Sequence, residues 1–186
     1  FSEAQVVIIS TAFFGSLPHE ELLSGFAEML KHGLISNEDA YNRLLAYDIS
    51  SAPTSDALLN LLQESVEVKR RIVTEDPTEK GIRRALNLGH TIGHAVEALS
   101  NFRISHGQAV AIGMAVITGA AVKYGICEAE TLRKVQAILA KFQLPSATEY
   151  SVQALKAHIL SDKKRLGDSI ALVVPESIGK CSLRPT

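Results

Sequence analysis

A stripe of polar side chains recurs in the middle of the chain at helical spacing. Arg83, Asn87, His90, His94 and Glu97 follow one another at intervals of 4, 3, 4 and 3 residues. On a continuous helix this spacing puts all five side chains on one face. Two imidazoles one turn apart can share a metal ion, so spacing alone indicates His90 and His94 as a ligand pair. A solvated helix face explains the same pattern equally well.

Two further side chains have the chemistry to complete a metal site. Glu28 lies among apolar residues, and His106 precedes a long apolar segment. A carboxylate in such surroundings needs a cation, and Lys31 one turn on supplies the simpler one. The alternative is a divalent ion held by one carboxylate and two imidazoles, which is the ligand set of an open catalytic zinc site. The sequence has no His-Glu-x-x-His motif, which excludes a zinc protease of that type.

The charge distribution favours a small anionic ligand. Nineteen basic and 20 acidic residues give a net charge of −1, so no global positive field attracts nucleic acid or an anionic membrane. Basic residues cluster at 69–71, 83–84 and 163–165, where they suit a substrate that carries phosphate and carboxylate groups. Surface solvation accounts for part of these clusters. The sequence has no Gly-x-Gly-x-x-Gly motif, no phosphate-binding P-loop and no Gly-x-Ser-x-Gly motif.

Cysteine usage and the ends of the chain bear on its location. Two distant cysteines, Cys127 and Cys181, fit neither a disulfide framework nor a zinc ribbon, so we expect a reducing, cytoplasmic environment. The longest uncharged apolar run, residues 109–122, is shorter than a bilayer crossing requires. The chain starts at Phe1 with no signal segment, and we expect it to be a piece of a longer polypeptide.

The hydrophobic pattern predicts a mainly α-helical, multi-helical bundle with a short N-terminal strand and a small C-terminal β-hairpin. Residues 4–10 are predicted as a buried strand, and a capping pair at Ser36 and Asp39 is predicted to open the second helix. The other expected helices cover residues 18–33, 54–75, 79–100, 105–125, 128–142 and 152–160, and the hairpin covers 169–183. Gly89 inside a helix costs about 1 kcal/mol relative to alanine. Either something packs closely against it, or the helix begins near His90.

Three stretches resemble the 3-dehydroquinate synthase family. They are residues 76–97, which contain Asn-Leu-Gly-His-Thr-Ile-Gly-His, residues 24–35, which contain Phe-Ala-Glu-Met-Leu-Lys, and residues 105–111, which begin Ser-His-Gly-Gln. In this family an N-terminal α/β domain binds NAD and a helical domain binds metal and substrate. The resemblance implies that residues 18–186 are the helical domain and that residues 1–17 are a lead-in strand and linker from the NAD domain.

The resemblance also implies roles for individual residues. The metal ligands, for Zn²⁺ or Co²⁺, would be Glu28, His90 and His106, which moves His94 from the ligand set to the substrate side. The catalytic residues would be His94, Lys31 and Asn87. The substrate-binding residues would be Lys69, Arg83 and Lys163. The residues that contact NAD would be Phe13, Phe14, Gly15 and Ser16, although Gly15 and Ser16 depart from the commonest family sequence.

The reaction implied by the resemblance converts 3-deoxy-D-arabino-heptulosonate 7-phosphate (DAHP) into 3-dehydroquinate and phosphate in the shikimate pathway. It depends on NAD and a divalent metal, and we expect these 186 residues to be inactive without the NAD domain. Two related activities are alternatives: a sugar phosphate cyclase of the 2-deoxy-scyllo-inosose synthase type and a metal-dependent polyol dehydrogenase. An inactive helical module is the alternative from another class, and the sequence leaves open whether the chain forms a homodimer.

Overall fold

The centre of the molecule is a helix that is buried nearly all round. The computed structural model describes residues 5–166 and 171–185, without the side chains of 162–166 and 185. The central helix is α5, His106–Lys123, and it packs against α1, α4 and α6. The α-helices are α1 (His19–Ser36), α2 (Glu38–Ala46), α3 (Asp56–Glu75), α4 (His90–Leu99), α5, α6 (Ala129–Lys141) and α7 (Val152–Leu166). Two 3-10 helices, Thr11–Ser16 and Ile82–Asn87, and two strands, β1 (Ala171–Ser177) and β2 (Lys180–Pro185), complete the described elements.

Apolar burial around α5 accounts for most of the core. Small residues alternate with larger ones along α5, and Val110, Ile112 and Met114 are all fully or almost fully buried. On the α1 side an aromatic cluster closes the core, with the Phe26 ring centroid 4.9 Å from that of Phe142. A helix that is apolar on every face needs neighbours on every face, and this requirement places α5 at the centre.

The backbones of α4 and α5 touch where two glycines meet. A Cβ atom on Gly113 would lie 2.0 Å from the Gly89 carbonyl oxygen, closer than any real contact. Gly89 itself adopts φ +79°, a left-handed conformation that favours glycine, and ends the preceding turn so that α4 begins at His90. A second close approach joins α5 to α1, where a Cβ on Gly107 would lie 2.3 Å from the Ser24 carbonyl oxygen.

The C-terminal β-hairpin packs against the helix bundle. Strands β1 and β2 are antiparallel, and the hairpin lies against α5, α1 and the 3-10 helix Ile82–Asn87. Its turn is attached to α1 by a hydrogen bond from the Gly179 amide to the Leu34 carbonyl, 2.8 Å long. The predicted C-terminal hairpin is therefore confirmed for the residues that the structure describes.

Most helices form where the sequence predicts them, and three local predictions are wrong. Residues 5–10 form no strand, and Ile8 is 88% exposed, because this segment has no sheet partner among the described residues. The N-cap of α2 is Asn37, whose side chain accepts from the Ala40 amide, rather than Ser36 with Asp39. Residues 79–100 are not one helix, because Gly89 separates a 3-10 helix from α4, but both explanations offered for Gly89 are confirmed: the helix begins at His90, and α5 packs closely against Gly89.

Within the described residues, none of the helices combines the length and the apolar character that crossing a bilayer would require.

The contact between Gly89 and Gly113 leads to a stability prediction. We expect Gly113→Ala to destabilise the fold by about 1–3 kcal/mol, because the new methyl group must displace the Gly89 backbone. Gly119→Ala, on the same helix with nothing within 4 Å of its Cβ position, is the matched control and should stabilise by up to about 1 kcal/mol. Urea unfolding of both variants measures the difference, and equal effects would contradict the close approach.

Candidate metal centre

Three helices bring one carboxylate and two imidazoles together. Glu28 lies in the middle of α1, whereas His90 and His106 are the first residues of α4 and α5. The left-handed Gly89 sets the start of α4, and a capping box formed by Ser105 and Gln108 sets the start of α5. The positions of both histidines are therefore fixed by helix-start signals in the sequence.

The two imidazoles face the same oxygen of Glu28. Glu28 Oε1 lies 3.6 Å from His90 Nε2 and 3.7 Å from His106 Nε2, and it is buried with no hydrogen-bond partner in the described structure. The other carboxylate oxygen, Oε2, accepts a 2.6 Å hydrogen bond from Lys31 Nζ. Both cations considered for Glu28 thus have a place: Lys31 pairs with one oxygen, and the other is free to bind an ion.

The outer nitrogen of each histidine has its own partner. His90 Nδ1 lies 3.2 Å from the Leu88 carbonyl oxygen, and His106 Nδ1 lies 3.2 Å from Glu97 Oε2. Both partners accept hydrogen bonds, so we assign the imidazole proton to Nδ1 in each ring. The Nε2 lone pairs then face Glu28, and such outer hydrogen bonds are the usual means of orienting metal-bound histidines.

Burial and neighbouring charges keep His90 and Glu28 in the protonation states that bind a metal. Burial, with the positive charge of Lys31 adding to it, lowers the pKa of His90 to about 4, so its imidazole is neutral at pH 7. Burial alone would raise the pKa of Glu28, but the charge and hydrogen bond of Lys31 outweigh it and keep the pKa below its usual value. Burial lowers the pKa of Lys31 although Glu28 opposes the change. Neutral imidazoles and an ionised carboxylate are the forms that bind a metal.

This donor set fits a divalent ion. One carboxylate and two imidazoles leave open positions on a four-coordinate ion, as in catalytic zinc sites. The unpartnered, buried Glu28 Oε1 supports the assignment, because a buried carboxylate oxygen without a partner is costly.

His94 belongs to a different cluster from the one that spacing indicates. The His90 and His94 rings are 5.4 Å apart and nearly perpendicular. In the described residues, the groups of donor atoms that converge within 4.8 Å are Glu28 with His90 and His106, and His94 with Glu97 and His106. The pairing of His90 with His94 in one ligand set is therefore wrong in this structure.

The loop before α4 carries two of the predicted substrate residues. The Arg83 guanidinium donates to the Pro77 carbonyl at 2.8 Å, and Asn87 Nδ2 donates to Glu79 Oε1 at 2.7 Å. The carboxylate of Asp76 holds the loop by accepting from the backbone amides of Lys80, Gly81 and Arg83. This loop packs against α3 and α1, so it lies beside the helices that supply Lys69 and Glu28.

The remaining predicted residues differ in how much the structure says about them. Lys69 is an exposed residue of α3, and its charge acts on that of Lys31. Lys163 falls in α7, but its side chain lies outside the described residues. The segment Phe13, Phe14, Gly15 and Ser16 forms most of the first 3-10 helix, where Phe13 is 74% exposed and Phe14 packs on the core.

Several supporting residues were not predicted from the sequence. His32 is buried on α1 and its Nδ1 lies 2.7 Å from Ser65 Oγ on α3, a contact between residues 33 positions apart. Nothing local in the sequence indicates such a pair. Asp76 followed by Pro77 does mark a helix end, but its three backbone hydrogen bonds depend on the path of the loop.

Solved structures first define the class of fold. The chain superposes on 2-epi-5-epi-valiolone synthase from Streptomyces hygroscopicus subsp. jinggangensis, with a TM-score of 0.84 and 22% identity over 95% of this chain and 50% of that one. A 2-deoxy-scyllo-inosose synthase matches with a TM-score of 0.78 and 22% identity over 95% of this chain and 52% of that one. The fold is thus that of the helical half of these synthases.

The sequence comparisons then give the particular family. The family model described as 3-dehydroquinate synthase C-terminal matches residues 25–165, and the chain belongs to this family. Relatives named 3-dehydroquinate synthase from Dictyoglomus thermophilum and Streptococcus suis are 37% and 36% identical over 185 residues. The match covers 98% of this chain and 52% of each relative, so the chain spans about half the length of these curated relatives.

The buried His32 leads to a pH prediction. Burial, with the charge of Lys31, lowers its pKa from the usual 6.5 to about 4. The unfolded chain therefore takes up a proton at this residue between about pH 6.5 and 4 and the folded chain does not, so acidification destabilises the fold. Between pH 7.5 and 5.5 we expect metal-free wild type to lose about 1 kcal/mol more than His32→Asn, which removes this titration.

Urea unfolding in EDTA at the two pH values measures this difference. His19→Gln, at an exposed position of α1, is the matched control and should behave as wild type. Equal pH dependence in wild type and His32→Asn would contradict the prediction.

The Asp76 loop leads to a proteolysis prediction. Without the carboxylate, three backbone amides lose their acceptor, so in Asp76→Ala we expect trypsin to cut after Lys80, Arg83 or Arg84 several-fold faster. Mass spectrometry of timed digests identifies the sites. Glu149→Ala, which removes an exposed carboxylate elsewhere, should leave these cuts at the wild-type rate. Unchanged cleavage in Asp76→Ala would show that the loop is held by other contacts.

Proposed function

We propose that this chain is the metal- and substrate-binding part of a 3-dehydroquinate synthase, which converts DAHP into 3-dehydroquinate and phosphate. The observation that carries the proposal is the unpartnered Glu28 Oε1 facing two imidazole nitrogens. These three residues occupy the positions that the family resemblance gives to the metal ligands. Family membership and the donor set thus point to the same chemistry from independent directions.

Glu28, His90 and His106 would hold the divalent ion. When bound, Zn²⁺ or Co²⁺ supplies Lewis acidity that polarises oxygen atoms of the substrate and orients its hydroxyl groups. The protein keeps the ligands in their binding forms, because Lys31 keeps the carboxylate ionised and burial keeps His90 neutral. The matching solved structures support this choice of metals, since the valiolone synthase is described with Zn²⁺ bound and the inosose synthase with Co²⁺.

The other site residues would bind and position the substrate. Lys69 and Arg83 would neutralise the phosphate or carboxylate of the substrate. Lys31 is buried, 3% exposed and paired with Glu28, and its positive charge would add to theirs. Lys163 would add a further cation. Asn87 and the exposed His94 would hydrogen-bond hydroxyl groups of the substrate, and the His94 imidazole would serve as a general acid or base.

NAD is the redox cofactor of the proposed reaction, and it supplies the hydride acceptor that the site residues lack. Both matching synthases are described with NAD⁺ bound. In this chain Phe13, Phe14, Gly15 and Ser16 would contact it from the exposed 3-10 helix. The lead-in role of residues 1–17, the cytoplasmic location and a homodimer stay predictions.

Two alternatives share this architecture. A sugar phosphate cyclase of the 2-deoxy-scyllo-inosose synthase type would use the same metal position, and one such structure is described with carbaglucose-6-phosphate and Co²⁺. A metal-dependent polyol dehydrogenase would need no phosphate elimination. Arg83 and Asn87 favour the carboxylate-bearing substrate DAHP over both, and the relatives named 3-dehydroquinate synthase favour it as well.

The test is a fusion that supplies the NAD domain. The N-terminal part of the Dictyoglomus thermophilum relative would be joined to this chain, and phosphate release from DAHP measured with NAD and Zn²⁺. We expect turnover in the fusion and none from these 186 residues alone. His90→Gln should lower the rate by at least about 100-fold, since even an outer hydrogen-bond partner of a metal ligand is worth about 10–100-fold. Chelation should abolish turnover, and added Zn²⁺ should restore it.

The controls separate the alternatives. His158→Gln changes a histidine on α7 and should keep full activity. Phosphate release from glucose 6-phosphate but not from DAHP would favour the other cyclase. NADH formation from an unphosphorylated polyol, without phosphate release, would favour a polyol dehydrogenase. A folded fusion that is inactive on all three substrate classes, beside an active intact relative, would contradict the proposal.

A further inference from the structure

We propose that His94, Glu97 and His106 form a second cation position, which binds a transition-metal ion such as Zn²⁺ more weakly than the Glu28 position. His94 and Glu97 lie on α4, and His106 faces them from the start of α5. Their donor atoms all lie within 4.8 Å of one another. Two imidazoles and one carboxylate are the same ligand types as in the Glu28 cluster, and they suit zinc, cobalt and copper.

The ligand separation fits an ion between them. Glu97 Oε2 and His106 Nδ1 are 3.2 Å apart. Two ligands of one tetrahedral ion, each about 2.1 Å from it, lie roughly 3.3 Å apart. The exposed His94 ring lies beside them, with its centroid 5.9 Å from that of His106 and its donor nitrogen within 4.8 Å of the other two donor atoms.

The two positions use opposite nitrogens of the His106 ring. Nε2 faces Glu28 Oε1, whereas Nδ1 faces Glu97 Oε2. Without the second ion, the Nδ1 proton is donated to Glu97 and orients the ring. Binding of an ion at the second position would displace that proton to solvent, so that with both positions filled the ring would be an imidazolate, and Glu97 would change from hydrogen-bond acceptor to ligand. His106 then bridges the two ions, so one position does not exclude the other.

The surroundings make the second position the weaker one. His106 is common to both positions, and the histidine that differs is exposed at the second position (His94) but only 15% exposed at the first (His90). Water competes better for an exposed ion, and an ion already bound through Nε2 repels a second one. We therefore expect the second ion to bind more weakly than the ion at the Glu28 position.

Occupancy of this position would affect catalysis. If the proposed function holds, His94 binds substrate, and an ion at the second position would take this side chain out of use. Excess zinc would then inhibit the enzyme that trace zinc activates. This consequence rests on the proposed function, whereas the second position itself does not.

The experiment counts ions directly. Metal-free protein would be titrated with Zn²⁺ against a chromophoric chelator, and bound metal would be measured after dialysis at each Zn²⁺ concentration. We expect one tight and one weaker ion per chain. His94→Gln should lose the weaker ion alone, His90→Gln should lose the tight ion alone, and His106→Gln should lose both. His158→Gln should keep both, and circular dichroism should show that each variant is folded.

Either of two results would overturn the second position. One is a wild-type chain that binds a single ion at saturating Zn²⁺. The other is a weaker ion that persists in His94→Gln and in Glu97→Gln, which would place it elsewhere on the surface. Persistence of the tight ion in His90→Gln would instead contradict the Glu28 metal centre and leave the His94 position standing.

Discussion

The contact between the backbones of α4 and α5 determines where the candidate metal ligands lie. Because Gly89 and Gly113 carry no side chains, the carbonyl of Gly89 packs directly onto α5, and α4 starts at once with His90. The same α5 begins with His106, and the next residue, Gly107, packs against Ser24 of α1, one turn before Glu28. Any larger residue at these contacts would separate the three helices and with them the three donor atoms.

The charges at this site are those of Lys31 and Glu28, which form an ion pair. Lys31 is nearly fully buried, yet its partner Glu28 commits only one oxygen to it. The pair keeps the carboxylate ionised, and the neutral His90 adds a donor without adding charge. A cation bound at Glu28 Oε1 would thus meet a carboxylate, an ammonium group and two imidazole rings that are already hydrogen-bonded. The outer partners Leu88 and Glu97 are as much part of the arrangement as the ligands.

Sequence reasoning located the helices better than it located the site. The long segment that is apolar almost all round predicted the central α5, and the helix starts predicted at residues 54 and 105 lie within two residues of the observed starts of α3 and α5, because these signals are local. Spacing failed for His90 and His94 although both lie on α4 one turn apart, because His90 Nε2 faces Glu28 on α1 whereas His94 groups with Glu97 and His106. The grouping of Glu28 with His90 and His106 came from family resemblance, since no local pattern joins side chains on three helices. The pairing of His32 with Ser65 was missed for the same reason. The strand over residues 4–10 was predicted from β-branched composition alone, which indicates a strand only where a partner is available.

The spread of the proposed metal ligands over α1, α4 and α5 also has a consequence for motion. An ion that binds the folded chain and not the unfolded one adds its binding free energy to stability, about 2.7 kcal/mol when its free concentration is 100 times the dissociation constant. Here ion binding would stabilise the packing of all three helices together, because partial opening of any of them would separate the ligands. Amide protons of all three helices would then exchange with solvent more slowly in the loaded state than in the metal-free state. Loss of the ion would loosen the interior of the bundle together with its surface site.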